Sequence, residues 1–125
     1  MTPFGTVGLT ICYDLRFPEL YRSLTIQGAE IIFVPSAFTF DTGKAHWETL
    51  LRTRAIENQV FIIAPNQYGS GPSQTLNYGH SMIVDPWGTV LARCKNEEKI
   101  IYADLDMAYL KKVRKKLPVL NEIIL

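Results

Sequence analysis

The chain has little cysteine, no long apolar run and almost no net charge. Only two cysteines, Cys12 and Cys94, occur in 125 residues, which excludes a disulfide framework. No apolar stretch approaches the roughly 20 residues that span a bilayer, so no membrane partner is expected. Thirteen Lys and Arg against 12 Asp and Glu leave a formal net charge of +1. That balance provides no field for nucleic acid. With 8 Gly, 7 Pro and 47% hydrophobic residues, collagen-like and disordered classes are excluded. No basic, apolar and small-residue leader opens the chain. With so few cysteines, a reduced compartment is expected, cytoplasmic with a mitochondrial one as the alternative. What remains is enough chain for one domain, burying roughly two thirds of its unfolded surface.

Strand-like and helix-like stretches alternate early. Residues 5–11 are β-branched and alternating, and predict a strand ending at Cys12. Residues 14–18 form a turn in which Pro18 suits the first helical position. A helix is expected over 19–27 with Gly28 as its stop, then a buried strand over 30–35. This is a parallel βαβ unit. A loop over 36–43, a long helix over 44–58 and a buried strand over 59–64 follow. Residues 66–78, rich in Gly, Ser, Asn and Gln, read as a surface loop. Residues 81–92 read as a hairpin around Asp85-Pro-Trp-Gly88. A last strand is expected over 99–103, and then a basic helix capped by Asp106 and stopped by Pro118. The class is α/β. Chemistry in such sheets gathers at the carboxyl ends of strands, where Cys12-Tyr-Asp14 and Pro35-Ser-Ala-Phe38 lie.

Cys12 is either a nucleophile or a small buried core residue. In favour of the first, a helix begins just after it. Helix amino ends stabilise anions, and the thiolate is the reactive form of cysteine. His46 and His80 are the only histidines. Each could pair with Cys12 or make fixed hydrogen bonds within the fold. A zinc site is not expected, because no short ligand pair such as Cys-x-x-Cys is present. Arg16 could hold a substrate carboxylate in a bidentate fork, or brace the turn through Asp14, Glu19 or Glu57. The charges of the long helix, including Arg54 and Glu57, suit a solvated face. With Trp47 they also suit a subunit interface. Lys111, Lys112, Arg114, Lys115 and Lys116 suit a solvated helix end.

Four blocks together carry a resemblance. They are Gly8-Leu-Thr-Ile-Cys-Tyr-Asp-Leu-Arg-Phe-Pro-Glu19, Pro35-Ser-Ala-Phe38, His46-Trp-Glu-Thr-Leu-Leu-Arg-Thr-Arg-Ala-Ile-Glu-Asn58 and Tyr78-Gly-His-Ser-Met-Ile-Val-Asp-Pro-Trp-Gly88. In order and spacing the chain resembles the nitrilase superfamily of carbon–nitrogen hydrolases, over most of residues 5–118. Ala92-Arg-Cys94 and Leu117-Pro-Val119 make it most similar to the Nit branch, the deaminated glutathione amidases. The resemblance implies an α-β-β-α sandwich and an amidase using a Glu–Lys–Cys triad without metal or organic cofactor. Cys12 matches the nucleophile, forming a thioester, and the backbone N–H of Tyr13 shares the oxyanion with the family's Lys. Asp14, Arg16, Ser36, Ala37, Phe38 and His46 fall where substrate would be lined. Family homodimers pair through helices matching about 17–27 and 44–58, which puts Phe17, Trp47 and Arg54 at the interface. The partner implied besides a second subunit is a small amide substrate.

There is a departure from the pattern. The family's Glu, Lys and second Glu precede the nucleophile, whereas the eleven residues before Cys12 contain neither Glu nor Lys. The expectation is therefore a partial domain over 1–125, matching the carboxyl-terminal half of a family member. Alone it would be inactive. The rivals are a truncated, non-catalytic product acting through its dimer-type helices, and a thiol hydrolase using Cys12 with His46 or His80.

Overall fold

The computed structural model describes residues 1–124. The parallel strands β1 (Val7–Leu9), β2 (Ile31–Phe33) and β3 (Phe61–Ala64) are linked by helices. Between β1 and β2 come a 3-10 turn over Cys12–Arg16 and helix α1 (Pro18–Ile26), with Pro at its amino end as expected. Between β2 and β3 lie α2 (Phe40–Thr42), a π turn (Gly43–Trp47) and α3 (Glu48–Asn58). The helical segment thus begins at Phe40, inside the expected loop. Thr39 and Thr42, bonded through their hydroxyls at 2.9 Å, close its first turn.

Two further expectations are corrected. The loop over 66–78 contains a hairpin, β4 (Tyr68–Ser70) with β5 (Leu76–Tyr78). Its Gly-rich composition masked the pairing, and Gly69 sits at φ 81°. The expected strand over 99–103 forms no ladder. Its alternation is real, but a strand also needs a neighbour, and among the described residues none pairs with it. The hairpin around Asp85 is present as β6 (Met82–Val84) and β7 (Val90–Arg93). Asp85 accepts from the amides of Trp87 and Thr89 at 2.8 and 3.0 Å, which closes the turn. The five-stranded sheet runs β1-β2-β3-β6-β7, with β6 and β7 antiparallel. The final helix α4 (Met107–Lys116) is capped by Asp106, whose carboxylate accepts from the Tyr109 amide at 3.0 Å. The chain is α/β, as its sequence indicates.

Period-2 alternation divides the core. Ile32, Val34, Ile62, Ala64, Met82 and Val84 pack against Tyr21, Trp47, Leu51 and Ala55 from α1, the π turn and α3. On the opposite face Ile31 and Phe61 pack with Leu110 of α4. Full burial of each large side chain contributes about 1.5–3 kcal/mol. The cationic end of α4 is only partly solvated. Arg114 is drawn inward, donating to the carbonyls of Gln59 and Ala29 at 3.0 Å each. Burial pulls its pKa below the usual arginine range. Among the described residues no helix is long and apolar enough to cross a membrane.

Candidate active site

Backbone hydrogen bonds continue the parallel register past the carboxyl ends of the strands. Cys12 N–H donates to Pro35 O at 2.8 Å, Ser36 N–H to Pro65 O and Gln67 N–H to Ser36 O, both at 2.9 Å. Three strand exits are thereby stitched into one platform. Cys12 leaves β1 there with φ at 45°, a left-handed conformation that L side chains avoid. Such a residue costs on the order of 1–3 kcal/mol and persists only where its surroundings fix it.

Those surroundings can be named. Asp14 Oδ2 accepts from Ile11 N–H at 2.9 Å, closing the turn across Cys12. Thr10, one residue earlier, donates to Phe33 O and meets the Tyr21 hydroxyl, both at 2.9 Å. Burial pushes the Tyr21 phenol up to about 12. Arg54 reaches from α3 and donates twice to Leu15 O, at 2.9 and 3.2 Å, and once to Glu57 at 2.9 Å. Arg54 is only 5% exposed and Trp47 is fully buried. Both were expected at a subunit interface. The structure places them inside the chain, because Leu15 O and the Glu57 carboxylate offset the desolvation of the guanidinium and the Trp47 indole donates to His80 O at 2.9 Å. Phe17 remains half-exposed.

Two open hollows meet at Cys12. One, of about 470 Å³, is lined by Ile11, Pro35, Ser36, Ala37, Pro65, Asn66 and Gln67. The other, of about 440 Å³, brings Tyr13, Arg16, Ala37, Phe38, Thr39, Thr42 and His46 together with Cys12. Of the substrate-lining candidates, only Asp14 is in neither hollow, since it is committed to the turn. Ser36 is buried, and its hydroxyl donates to Val34 O at 3.0 Å. Asn66 escaped the sequence reading. Its Oδ1 accepts from Phe38 N–H at 2.9 Å and its Nδ2 donates to Gly79 O at 2.7 Å, locking the loop that carries Phe38. A buried Asn in a turn-rich stretch gives no cue to partners 13 and 28 residues away.

Arg16 does not brace the turn through an acid. Among the described residues the ion pairs are Arg54–Glu57 and Arg93–Glu48. The Arg16 guanidinium instead lies 5.3 Å from the centre of the Phe38 ring and donates to His46 Nδ1 at 3.3 and 3.4 Å. No hydrogen bond joins Cys12 to either histidine among the described residues. His80 donates from Nδ1 to Tyr78 O at 2.6 Å and stacks on that ring. The turn spends Cys12 N–H on Pro35 O and Asp14 N–H on Ile11 O, while Tyr13 N–H has no acceptor among the described residues. Cys94, the other thiol, is buried, and desolvation pushes its pKa up. No cluster of metal-binding side chains occurs among the described residues.

Over residues 1–115 the chain matches the family described as Carbon-nitrogen hydrolase. The chain belongs to the carbon–nitrogen hydrolases. It is 54% identical over 118 residues to deaminated glutathione amidase of Bos taurus, a match that spans 94% of this chain but 36% of the bovine protein. The similarity lies within the nitrilase superfamily, in its Nit branch. The crystal structure of the C. elegans NitFhit protein superposes with a TM-score of 0.94 at 48% identity, covering 98% of this chain and 30% of that one. An amidase of Nesterenkonia sp. AN1, captured after Michael addition of acrylamide at its active site cysteine, superposes with a TM-score of 0.76 at 31% identity. It covers 94% of this chain and 46% of that one. This carbon–nitrogen hydrolase chain thus spans about a third of its bovine relative's length.

Proposed function

We propose that Cys12 is the nucleophile for hydrolysis of a C–N bond in a small amide that also carries a carboxylate. One observation carries the reading. A cysteine in left-handed backbone at a strand exit opens on a hollow whose guanidinium, Arg16, is paired with no acid among the described residues. The Cys12 thiolate attacks the amide carbon, and the carbonyl oxygen becomes an oxyanion that takes the Tyr13 N–H, which has no acceptor among the described residues. One such donor is worth roughly 3–4 kcal/mol in the transition state. Collapse breaks the C–N bond and releases an amine, or ammonia where the amide is primary, whose added proton comes from a general acid. Water then cleaves the thioester, giving a carboxylate and the regenerated thiol. Arg16 takes the substrate carboxylate, a role matched to its planar fork. Deaminated glutathione, in the name of the bovine relative, is an acidic amide of this class.

The resemblance assigns base and oxyanion cation to a Glu and a Lys ahead of the nucleophile, and neither residue type precedes Cys12 in this chain. The chain alone is therefore proposed to bind and orient without useful turnover, since triad members act as a unit. Ammonia release from succinamate tests this. The expected result is a rate indistinguishable from that of Cys12→Ala, and robust Cys12-dependent release would overturn it.

A second reading concerns α1. Its outward face exposes Phe17, Leu20 and Ile26 beside a hollow of about 450 Å³ reached by Arg22 and Glu57. We propose that a second copy of the chain docks there, as in a homodimer. Light scattering of wild type against Ile26→Glu tests it, with a shift to monomer expected and an unchanged mass counting against it. Two free thiols suit a reducing compartment, and the cytoplasm is the compartment proposed.

A further inference from the structure

We propose that His46 is a positioning residue that holds Arg16 in place to receive the substrate carboxylate. The inference rests on the carboxylate reading above and adds a residue to it.

The tautomer follows from the contact. A guanidinium has only donors. His46 Nδ1, at 3.3 and 3.4 Å from both Arg16 terminal nitrogens, must therefore supply the lone pair, and its ring proton sits on Nε2. A neutral imidazole can orient Arg16 without cancelling its charge. A carboxylate in that place would orient it and neutralise it together. The free guanidinium carries large rotamer freedom, so fixing it before substrate arrives reduces the ordering cost at binding.

The backbone that carries His46 is held firmly. His46 lies in the π turn over Gly43–Trp47, directly before the fully buried Trp47. Gly43 lets this turn press against Tyr78, where any side chain would collide. Extra-wide turns of this kind recur at functional sites. Arg16 also lies over the Phe38 ring, on a loop pinned by Asn66. In the hollow of Cys12 the guanidinium thus meets an imidazole acceptor and an aromatic face, both carried on firmly held backbone. His46 is already committed to this contact and has no hydrogen bond to Cys12, so it serves as an orienting group and not as the base for the thiol.

The test uses two alkylating reagents on this chain, iodoacetate and iodoacetamide. In both, the Cys12 sulfur displaces iodide from a CH2 group. The reagents differ in whether a carboxylate or a carboxamide is attached. Peptide mass spectrometry follows Cys12 separately from the buried Cys94. The ratio of the two rates cancels thiolate fraction and reports attraction for the carboxylate. Arg16→Ala is expected to lower the ratio by about tenfold, the scale of one hydrogen bond to a charged group. His46→Ala should lower it nearly as far. His46→Asn, which offers an amide oxygen near the position of Nδ1, should restore it to within about twofold. The Arg16 Nε–H signal in nitrogen-15 NMR should be sharp in wild type and His46→Asn, and averaged in His46→Ala.

If Arg16→Ala leaves the ratio unchanged, the carboxylate reading fails and this proposal falls with it. If Arg16→Ala lowers the ratio while His46→Ala does not, the reading stands and His46 has no positioning role. Failure of His46→Asn to restore either readout also overturns the proposal. His46 is exposed, so all variants should retain the wild-type thermal transition.

Discussion

The two faces of the central sheet are built differently. Against one, α1, the π turn and α3 close a continuous core over β2, β3 and β6. Against the other, α4 covers one region through Leu110, while Leu9 at the sheet edge stays 74% exposed. Three anchors of the candidate site come from the closed face. Tyr21 fixes Thr10, Arg54 fixes Leu15, and Trp47 fixes the π turn that carries His46. The closed face thus helps to set the position of Cys12, and α4 supplies none of these three anchors.

Substitutions can break or sharpen this contrast. Trp47→Ala should be the most damaging, at about 3–5 kcal/mol for a large buried aromatic, and should scatter Cys12 alkylation kinetics as well. Urea unfolding measures the first effect and reagent kinetics the second. Arg54→Met leaves Leu15 O without its donor and should cost about 1–3 kcal/mol. It should also blunt the preference of Cys12 for iodoacetate, although Arg54 touches neither reagent. Leu110→Ala, on the α4 face, should cost about 2 kcal/mol, the low end for a buried leucine, with Cys12 reactivity unchanged. A matching loss of site reactivity there would erase the distinction between the faces.

Tyr21 offers a pH-dependent version. Its phenol is pushed up to about 12, by burial first, against an unfolded value of 10.0. Above pH 10 the unfolded chain ionises while the folded chain holds its proton. The stability contributed by Tyr21 is therefore full below pH 10 and is lost as the pH climbs to about 12. Alkaline titration of the melting temperature should show this step, and Tyr21→Phe should remove it. Leu9→Thr should be the mildest change, within about 0.5 kcal/mol, because its side chain is already in water. An effect comparable to Leu110→Ala would show that the outer face is occupied in solution.

Several features were legible because their cause is local. Pro18 starts α1, Asp106 caps α4 and Asp85 closes the β6–β7 turn through bonds spanning four residues or fewer. Others were illegible because their cause is distant. Trp47, at the end of the π turn, and Arg54 of α3 sit among Glu and Arg, a pattern that reads as a wet helix face. A carbonyl 39 residues away, together with Glu57, makes burial of Arg54 tolerable. The β4–β5 hairpin hid in loop-like composition, and the alternation over 99–103 promised a ladder that found no neighbour. At the site, Cys12, Arg16, Phe38 and His46 were each candidates. The partners expected for Arg16 from the sequence were the acids Asp14, Glu19 or Glu57, whereas those in the fold are an imidazole and a ring.

By itself, then, the sequence determined the strands and helices with local signals, the α/β class, and the thiol poised at a strand exit. Hydrophobic period, capping and turn chemistry act within a few residues and are written in order along the chain. The tertiary structure decided which charges are buried, which loop holds Phe38, and that His46 meets Arg16 across 30 residues. A guanidinium is satisfied by whatever acceptor packing brings within about 3 Å, and that neighbour is set by how the helices seat on the sheet.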